Sequence, residues 1–199
     1  RGSLRALVRP HYQTVEAVKG ISLELDEGEL LAFIGPNGAG KSTTIKMLTG
    51  ILFPTQGQAQ VLGYVPWKQR RVLSYHIGSV FGQKPQLWYH LPPIDTFELF
   101  AHIYELDQAA FRRRQAFLVE ALGIADFLQT PVRKLSLGQR MRCEIAASML
   151  HGPRILFLDE PTIGLDVVAK QQLREAIKTL HDEEQLTIFL TSHDVGDVE

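Results

Sequence analysis

The segment that most constrains this chain is a glycine-rich loop between an apolar run and a helix-like pattern. Residues 35–42 read Gly-Pro-Asn-Gly-Ala-Gly-Lys-Ser, which fits the pattern G-x-x-x-x-G-K-[ST] at every position. The run before the loop, 30–34, is wholly apolar, and the stretch 41–52 carries apolar residues at helical spacing. The sequence therefore predicts a strand, a phosphate-binding turn and a helix, in that order.

The residue types of this loop suit a bound phosphate. Glycines let the backbone curl so that several N–H groups face one anion, and a helix N-terminus adds about half a positive charge. Lys41 is predicted to contact the β and γ phosphates, and the Ser42 hydroxyl to bind Mg²⁺. The predicted phosphate site comprises Gly35, Pro36, Asn37, Gly38, Ala39, Gly40, Lys41, Ser42 and Thr43.

The loop pattern alone does not separate ATPases, GTPases and small-molecule kinases. A GTPase would use an Asn-Lys-x-Asp segment to recognise guanine, and the sequence contains none. This disfavours the GTPase alternative.

A pair of carboxylates follows a second apolar run, 155–158. Asp159 and Glu160 stand directly after it, where the carboxyl end of a parallel strand opens onto the ligand crevice. Phosphoryl transfer uses one carboxylate to help hold the metal and another to position the nucleophile. We therefore predict that Asp159 binds Mg²⁺ and that Glu160 orients and polarises the attacking water.

Strand-like and helix-like segments alternate along the chain, which predicts an α/β fold with a mostly parallel sheet covered on both faces. The predicted strands span 18–25, 30–34, 58–62, 77–81, 155–158 and 186–190. Helical patterns cover 41–52, 94–128 (with breaks near 106–107 and 123), 136–150 (after an initial loop) and 167–181. The run Arg112-Arg113-Arg114 is interpreted as a solvated helix face.

The order of motifs resembles the ABC ATPases from Tyr12 to His193. Residues 135–139, Leu-Ser-Leu-Gly-Gln, are similar to the family's signature, usually written L-S-G-G-Q. Tyr12 matches the aromatic that stacks on adenine, and Gln83 the glutamine that senses Mg²⁺ and water. Gly164-Leu165-Asp166 matches the D-loop, and His193 the histidine that contacts the γ-phosphate.

This resemblance implies a P-loop NTPase of the ABC ATPase fold, with a RecA-like core, an antiparallel β-subdomain and a helical subdomain. A single nucleotide-binding domain, 1–199, is expected, with 1–83 and 149–199 forming the ATP-binding core and 84–148 the helical subdomain. The chain lacks an initial methionine and ends just after the His193 segment, so we expect a trimmed C-terminal end.

The resemblance also assigns roles at the site. Glu160, His193 and Lys41 are the implied catalytic residues, and Ser42, Gln83 and Asp159 the implied Mg²⁺ ligands. The remaining implied nucleotide contacts are Tyr12, Gln83, Ser136, Gly138, Gln139 and Asp166. In the family, the signature of one subunit closes over ATP held by another, so ATP-dependent head-to-tail dimerisation, as a homodimer, is expected.

One position departs from the family. Leu137 replaces the first glycine of the signature pair, while Ser136 and Gly138 remain. We expect the substitution to be tolerated if the leucine side chain points away from the nucleotide.

Composition limits the partners. The chain has 21 basic and 22 acidic residues and a net charge of -1, which gives no reason to expect nucleic acid as a main partner. The single cysteine, Cys143, excludes an internal disulfide and is interpreted as a core residue. Apolar runs are far shorter than the ~20 residues of a membrane span, so any membrane role requires a separate partner.

The predicted function is ATP hydrolysis that drives transport of an unknown substrate through a separate permease, similar to export ATPases of the ABC-2 kind. The expected location is peripheral, on the cytoplasmic face of the inner membrane. Trp88 and Tyr89 are predicted to form a docking surface for a cytoplasmic helix of the permease, the alternative being that they pack the helical subdomain. The alternative functions are a soluble ABC ATPase of the translation or DNA-maintenance type and a non-hydrolysing regulator, which conflicts with intact Lys41, Asp159 and Glu160.

Overall fold

The computed structural model describes residues 15–82, 84–194 and 196 of the chain. Its centre is a parallel four-stranded sheet of order β1-β4-β3-β2. The strands are β1 (Leu30–Ile34), β2 (Ile77–Phe81), β3 (Ile155–Asp159) and β4 (Thr187–Ser192). The predicted parallel sheet is confirmed, and four of the six predicted strands form within about three residues of their predicted bounds.

Six α-helices surround this sheet in the described part of the chain. They are α1 (Lys41–Leu48), α2 (Arg70–Leu73), α3 (Pro93–Ile103), α4 (Gln108–Ala121), α5 (Leu137–Met149) and α6 (Val167–Glu184). Short 3₁₀ turns at Ala125–Phe127 and Val132–Lys134 join α4 to α5. The break predicted near 106–107 is real, because Asp107 caps α4 by accepting hydrogen bonds from the amides of Ala109 and Ala110.

The two faces of the sheet separate by the alternation of side chains along β3. Leu156 and Leu158 face a large core that includes buried residues of α3, α4, α5 and α6. Ile155 and Phe157 face a smaller core that includes Ile45 of α1. Both faces are covered, as the unbroken apolar run of β3 predicted. Cys143 lies in the large core, and burial raises the pKa of its thiol to about 12, so the prediction of a core cysteine is confirmed.

Two sequence predictions of strands are wrong. Residues 18–25 form no strand and are mostly exposed, because the apolar–polar alternation there finds no neighbouring strand among the described residues. Residues 58–62 form only an isolated antiparallel bridge, between Val61 and Tyr64. Among the described residues, the antiparallel β-subdomain implied by the resemblance is represented by isolated bridges alone, this one and that between Phe81 and Lys84.

Two further predictions need correction. The run 30–34 was expected to be buried on both faces, but β1 lies at the edge of the sheet and its two end residues are exposed. The helix predicted over 41–52 ends at Leu48, because Gly50 takes a left-handed φ of 73° and its amide bonds back to Met47. In the described ranges, no helix has the length and apolar character that a membrane span requires.

Candidate functional site

The carboxyl ends of β1, β3 and β4 meet at one edge of the sheet. The amide of Gly35, just after β1, donates to the carbonyl of Ser192 at the end of β4 over 3.2 Å. Asp159 closes β3 and pairs in register with Thr191 of β4. Because parallel strands deliver their last side chains to a common crevice, the glycine loop, the carboxylate pair and the end of β4 come together here.

The loop 35–42 forms a concave turn that leads into α1. Gly38 and Gly40 adopt left-handed φ values of 82° and 88°. A side chain at Gly40 would collide with the backbone, since a Cβ there would lie 2.4 Å from the carbonyl oxygen of Ala17. Gly40 is also the N-cap of α1 and provides no side-chain cap.

The uncapped start of α1 is a set of N–H donors suited to an anion. The first amides of a helix have no intrahelical acceptor, and α1 carries no acidic residue in its first turn. Such donors suit an anion, and the predicted phosphate site from Gly35 through Thr43 spans them.

Lys41 is buried in the loop, and its ammonium is held by three oxygen atoms. It donates to the carbonyl oxygens of Gly35 over 2.7 Å and Pro36 over 3.2 Å. It also forms an ion pair with Glu160, with Nζ 3.2 Å from Oε1. The lysine thus connects the loop to the carboxylate pair after β3.

Asp159 receives two hydroxyl hydrogen bonds on the same oxygen. Ser42 and Thr191 each donate to its Oδ1 over 2.8 Å. The contact places the Ser42 hydroxyl beside a carboxylate. Oxygen atoms of these kinds are the ligands that small divalent cations prefer. Ser42 and Asp159, predicted separately from two motifs, are therefore brought together.

Glu160 is held in an unusual backbone conformation. Its φ is 51°, a left-handed value rare for a residue other than glycine. Its amide donates to both the carbonyl and the hydroxyl oxygen of Thr191, over 3.1 Å each. Its carboxylate lies between the ammonium of Lys41 and the imidazole of His193, whose Nδ1 is 3.8 Å from Oε2.

This arrangement has the parts that phosphoryl transfer requires. A cradle of amides and a lysine faces an anion, and a hydroxyl–carboxylate pair fits a cation. A second carboxylate, Glu160, stands within reach of both Lys41 and His193. Transfer to water needs an acceptor for the proton of that water, and a carboxylate such as Glu160 is chemically suited to this role.

The signature residues lie in a different part of the chain, at the start of α5. Ser136 is the N-cap, and a capping box joins it to Gln139, because each side chain bonds the other's backbone amide. Gly138 packs against α6, where a Cβ would lie 2.9 Å from Cβ of Ala169. Within the described ranges, no hydrogen bond or ion pair joins Ser136, Gly138 or Gln139 to the loop 35–42.

Three other predicted site residues have separate outcomes. Asp166 is the N-cap of α6 and accepts a hydrogen bond from the amide of Ala169 over 2.8 Å. Tyr12 and Gln83 lie outside the described residues.

Thr191 and Glu144 are two site-supporting residues that the sequence interpretation missed. Thr191 forms hydrogen bonds with both the Asp159 carboxylate and the amide of Glu160. The sequence signal for this role was a polar residue at the end of a buried strand. Glu144, buried on α5, accepts hydrogen bonds from the amides of Gln86 and Leu87. Burial raises the pKa of its carboxyl group. Through its two hydrogen bonds, Glu144 fixes the segment just after Gln83 to the helix that begins at the signature.

The basic run in α4 is only partly a solvated face. Arg112 and Arg113 are exposed, but Arg114 forms a two-pronged ion pair with Glu184 of α6, and its Nε donates to the carbonyl of Met149 over 3.0 Å. The interpretation of a fully solvated run is therefore wrong for Arg114, which ties α4 to the ends of α5 and α6.

Comparison with known proteins gives one family. A family model described as ABC transporter matches residues 18–163. Over 187 residues the chain is 33% identical to the ABC transporter ATP-binding protein NatA of Bacillus subtilis, covering 94% of this chain and 76% of that protein. It is 34% identical to the lantibiotic transport ATP-binding protein SrtF of Streptococcus pyogenes, covering 92% and 76%. It is 33% identical to the bacitracin transport ATP-binding protein BcrA of Bacillus licheniformis, covering 94% of this chain and 60% of that protein.

Solved structures agree with this result. CbiO1 of Clostridium perfringens, part of an ABC transporter complex, superposes with a TM-score of 0.82 at 31% identity, over 92% of this chain and 74% of that one. The ATP-binding cassette MJ0796, a dimer in a post-hydrolysis state with ADP and phosphate, superposes with a TM-score of 0.78 at 26% identity, over 94% and 85%.

Proposed function

We propose that this chain, which belongs to the ABC transporter family and is an ATP-hydrolysing subunit of that family, powers export through a separate membrane permease of the ABC-2 kind. One observation carries the proposal: Lys41, Ser42, Asp159 and Glu160 converge within hydrogen-bonding or ion-pairing distance at the uncapped start of α1. Relatives whose names describe bacitracin and lantibiotic transport support a role in transport.

The phosphate chain of ATP is proposed to lie along residues 35–43. The amides of the loop and of the first turn of α1 donate to the phosphate oxygens, and Lys41 adds a full positive charge at the β and γ phosphates. In this binding mode, Lys41 exchanges contacts with its neighbouring carbonyls for contacts with phosphate. Tyr12 is proposed to stack on the adenine.

Magnesium is proposed to bind at the pair Ser42–Asp159, with Gln83 as a further ligand. The hydroxyl and the carboxylate lie 2.8 Å apart, so both oxygens are available at one place. The ion supplies neutralisation of the charge that develops on the phosphates.

Glu160 is proposed to take the proton of the attacking water. As the water oxygen forms a bond to the γ-phosphorus, the bond to the β–γ bridging oxygen breaks and ADP leaves with that electron pair. His193, whose Nδ1 lies 3.8 Å from Oε2 of Glu160, is proposed to contact the γ-phosphate and to orient the carboxylate. The left-handed backbone of Glu160, held by Thr191, fixes the direction of the carboxylate.

A second copy is proposed to complete the site. The capping box satisfies the amide of Gln139 from Ser136, while the amide of Gly138, in the first turn of α5, has no intrahelical acceptor. This amide, with the Ser136 hydroxyl and Gln139, is proposed to contact the γ-phosphate held by the partner copy. Asp166 is proposed to lie beside this interface while it caps α6. The dimeric state of the MJ0796 cassette supports the arrangement.

The permease is proposed to dock at Trp88 and Tyr89. Their exposed fractions are 50% and 58%, whereas the adjacent Leu87 is buried in the large core. Exposure of two large aromatics on a segment anchored by Glu144 favours docking over packing of the helical subdomain. The proposed occupant is a cytoplasmic helix of the permease, which places the chain at the cytoplasmic face of the inner membrane.

The division into a core, 1–83 with 149–199, and a helical subdomain, 84–148, remains part of the proposal. It is supported by the position of α3, α4 and α5, which follow one another between β2 and β3 in the chain. The signature and the docking aromatics both lie in this helical part.

Copurification with an ABC-2 permease and measurement of ATP hydrolysis in proteoliposomes test the function. We expect hydrolysis that increases when cargo is added. Trp88→Ala with Tyr89→Ala is expected to abolish copurification, with ATP binding by the free chain as the folding control. Phe53→Ala, which alters an exposed aromatic in another loop, is the matched control and should copurify normally. Absence of hydrolysis by the wild-type pair would contradict the proposal.

A further inference from the structure

The first turn of α5 rests on the segment that follows Glu160. The side chain of Leu137 fills the space beside Gly164, since a Cβ added at Gly164 would lie 3.2 Å from Leu137 Cδ2. The next residue, Gly138, lies against Ala169 and Leu165. The cap segment, Ser136–Gln139, is therefore in direct van der Waals contact with residues 164–169 of the same chain.

The segment between Glu160 and α6 is short and internally bonded. The amide of Ile163 donates to the carbonyl of Glu160 over 3.3 Å, and that of Leu165 to Thr162 over 3.2 Å. Leu165 is buried, and Asp166 caps α6. Glu160 and Gly164 both take left-handed φ values, 51° and 76°. Two consecutive hydrogen-bonded turns therefore connect Gly164 to Glu160.

Leu137 supplies a contact that glycine at this position would lack. Its side chain is 37% exposed, so most of its surface is covered within the chain. A glycine there would leave a gap above Gly164, and the cap and the turn could then move independently. The leucine is the single departure of residues 135–139 from the signature pattern L-S-G-G-Q.

We propose that Leu137 is a positioning residue that couples the cap segment Ser136–Gln139 to Glu160 of the same chain through Gly164. The inference rests on the proposed function, in which the cap serves the nucleotide of the partner copy and Glu160 serves its own. Closure of the cap over one nucleotide then sets the position of the catalytic carboxylate at the other. Leu137 touches neither nucleotide.

Mixed dimers with one working site test this coupling. One copy carries Glu160→Gln, which is expected to keep ATP bound without hydrolysing it, so the working site combines the loop and Glu160 of the intact copy with the cap of the altered copy. Leu137→Gly is then placed in the intact copy, where its own cap faces the disabled site. We expect kcat to fall about tenfold with little change in KM for MgATP, because a small misplacement of a catalytic group costs rate and not binding.

Leu137→Met in the same copy is the matched control, since it conserves side-chain volume and should keep kcat near wild type. If Leu137→Gly lowers kcat only when placed in the copy that contributes the working cap, or in neither copy, the coupling is overturned. If the coupling is overturned in this way, hydrolysis by the wild-type homodimer in the same assays would show that the proposed function still stands.

Hydrogen exchange gives a second readout that needs no turnover. In the homodimer with ATP and Mg²⁺, the amides of 160–166 should exchange faster in Leu137→Gly than in Leu137→Met, at matched melting temperature. Equal exchange of this segment in the two variants would overturn the proposal. This result can be obtained even if the one-site dimer has no activity.

Discussion

The ammonium of Lys41 and the carboxylate of Glu160 lie 3.2 Å apart, with 4% and 16% of their side chains exposed. The residue proposed to bind phosphate and the residue proposed to accept the proton from water are therefore partners in one ion pair. Taking one partner from a buried pair leaves the other charge uncompensated. When a triphosphate binds, its own negative charge compensates the lysine, and the carboxylate becomes available to water.

Lys41→Ala should lose nucleotide affinity. Its ammonium is the charged donor of the loop, and loss of a charge-assisted hydrogen bond costs about 1.5–3 kcal/mol, or roughly tenfold to a hundredfold in Kd. Calorimetric titration with ATP measures the change. Lys46→Ala, in the last turn of the same helix, is the control and should bind normally. Unchanged affinity in Lys41→Ala would contradict the assignment of the phosphate loop.

Glu160→Gln should keep ATP binding and abolish turnover. The amide preserves the shape of the side chain but cannot take a proton from water, and the charge that pairs with Lys41 and His193 is lost. ATP that is bound and not hydrolysed should trap a dimer, which light scattering after gel filtration detects. Measurable phosphate release at the wild-type rate would remove Glu160 from its proposed role.

The local sequence predicted the centre of the fold more reliably than its margins. β3 is apolar and lies inside the sheet, so its unbroken apolar run correctly predicted a strand covered on both faces. Asp159 and Glu160 come at the carboxyl end of this strand, where the sequence predicted them. Residues 18–25 carry a similar degree of strand pattern but find no partner in the described chain. Pairing, and not propensity, decides between these two segments.

The site was predictable where one motif supplies the chemistry and hidden where contacts join distant segments. Lys41 and Asp159 each stand in a recognisable pattern. Arg114 does not, because its partner Glu184 lies 70 positions away and only the packing of α4 on α6 brings them together. For the same reason Glu144, 58 positions from Gln86, gives no local signal of its role.

Thr191→Val should slow hydrolysis. Valine keeps the shape in this fully buried position but removes the hydroxyl that bonds Asp159 and the amide of Glu160. Loss of the hydrogen bonds is expected to cost about 1–2 kcal/mol in the transition state, or roughly tenfold in kcat. Steady-state ATPase assays with varied Mg²⁺ measure it. Thr191→Ser retains the hydroxyl and should be nearly normal, and equal loss in both variants would contradict the hydrogen-bond explanation.

Arg114→Ala should destabilise the chain without a direct effect on nucleotide affinity. Burial lowers the pKa of the guanidinium to about 10, so it remains charged at neutral pH and pairs with Glu184. Removal of the Arg114 side chain leaves the Glu184 carboxylate and the Met149 carbonyl without this hydrogen-bond donor. We expect the free energy of unfolding to fall by about 2 kcal/mol. Urea denaturation measures the loss. Arg112→Ala, on the exposed part of α4, is the control, and equal stability of the two variants would contradict the role of Arg114.

His151 is a partly buried histidine whose neutral form the fold favours. Burial is the main cause that lowers its pKa from 6.5 to about 4, and the charges of Arg114 and His76 lower the pKa further, while a hydrogen bond to the carbonyl of Ile77 opposes the shift. The ring also stacks on Tyr104, with centroids 4.1 Å apart. The protonated ring is therefore disfavoured in the folded chain and favoured in the unfolded chain below pH 6.5.

His151→Gln should remove an acid-sensitive part of the free energy of unfolding. Because the folded pKa lies below the unfolded one, this contribution is complete above pH 6.5 and is lost as the pH falls towards 4. Between pH 7 and 5, the wild-type chain should lose about 2 kcal/mol more than the variant. Urea denaturation of both proteins across this range measures the difference, in which all other titrating groups cancel. Parallel pH profiles would show that His151 is not buried in its neutral form.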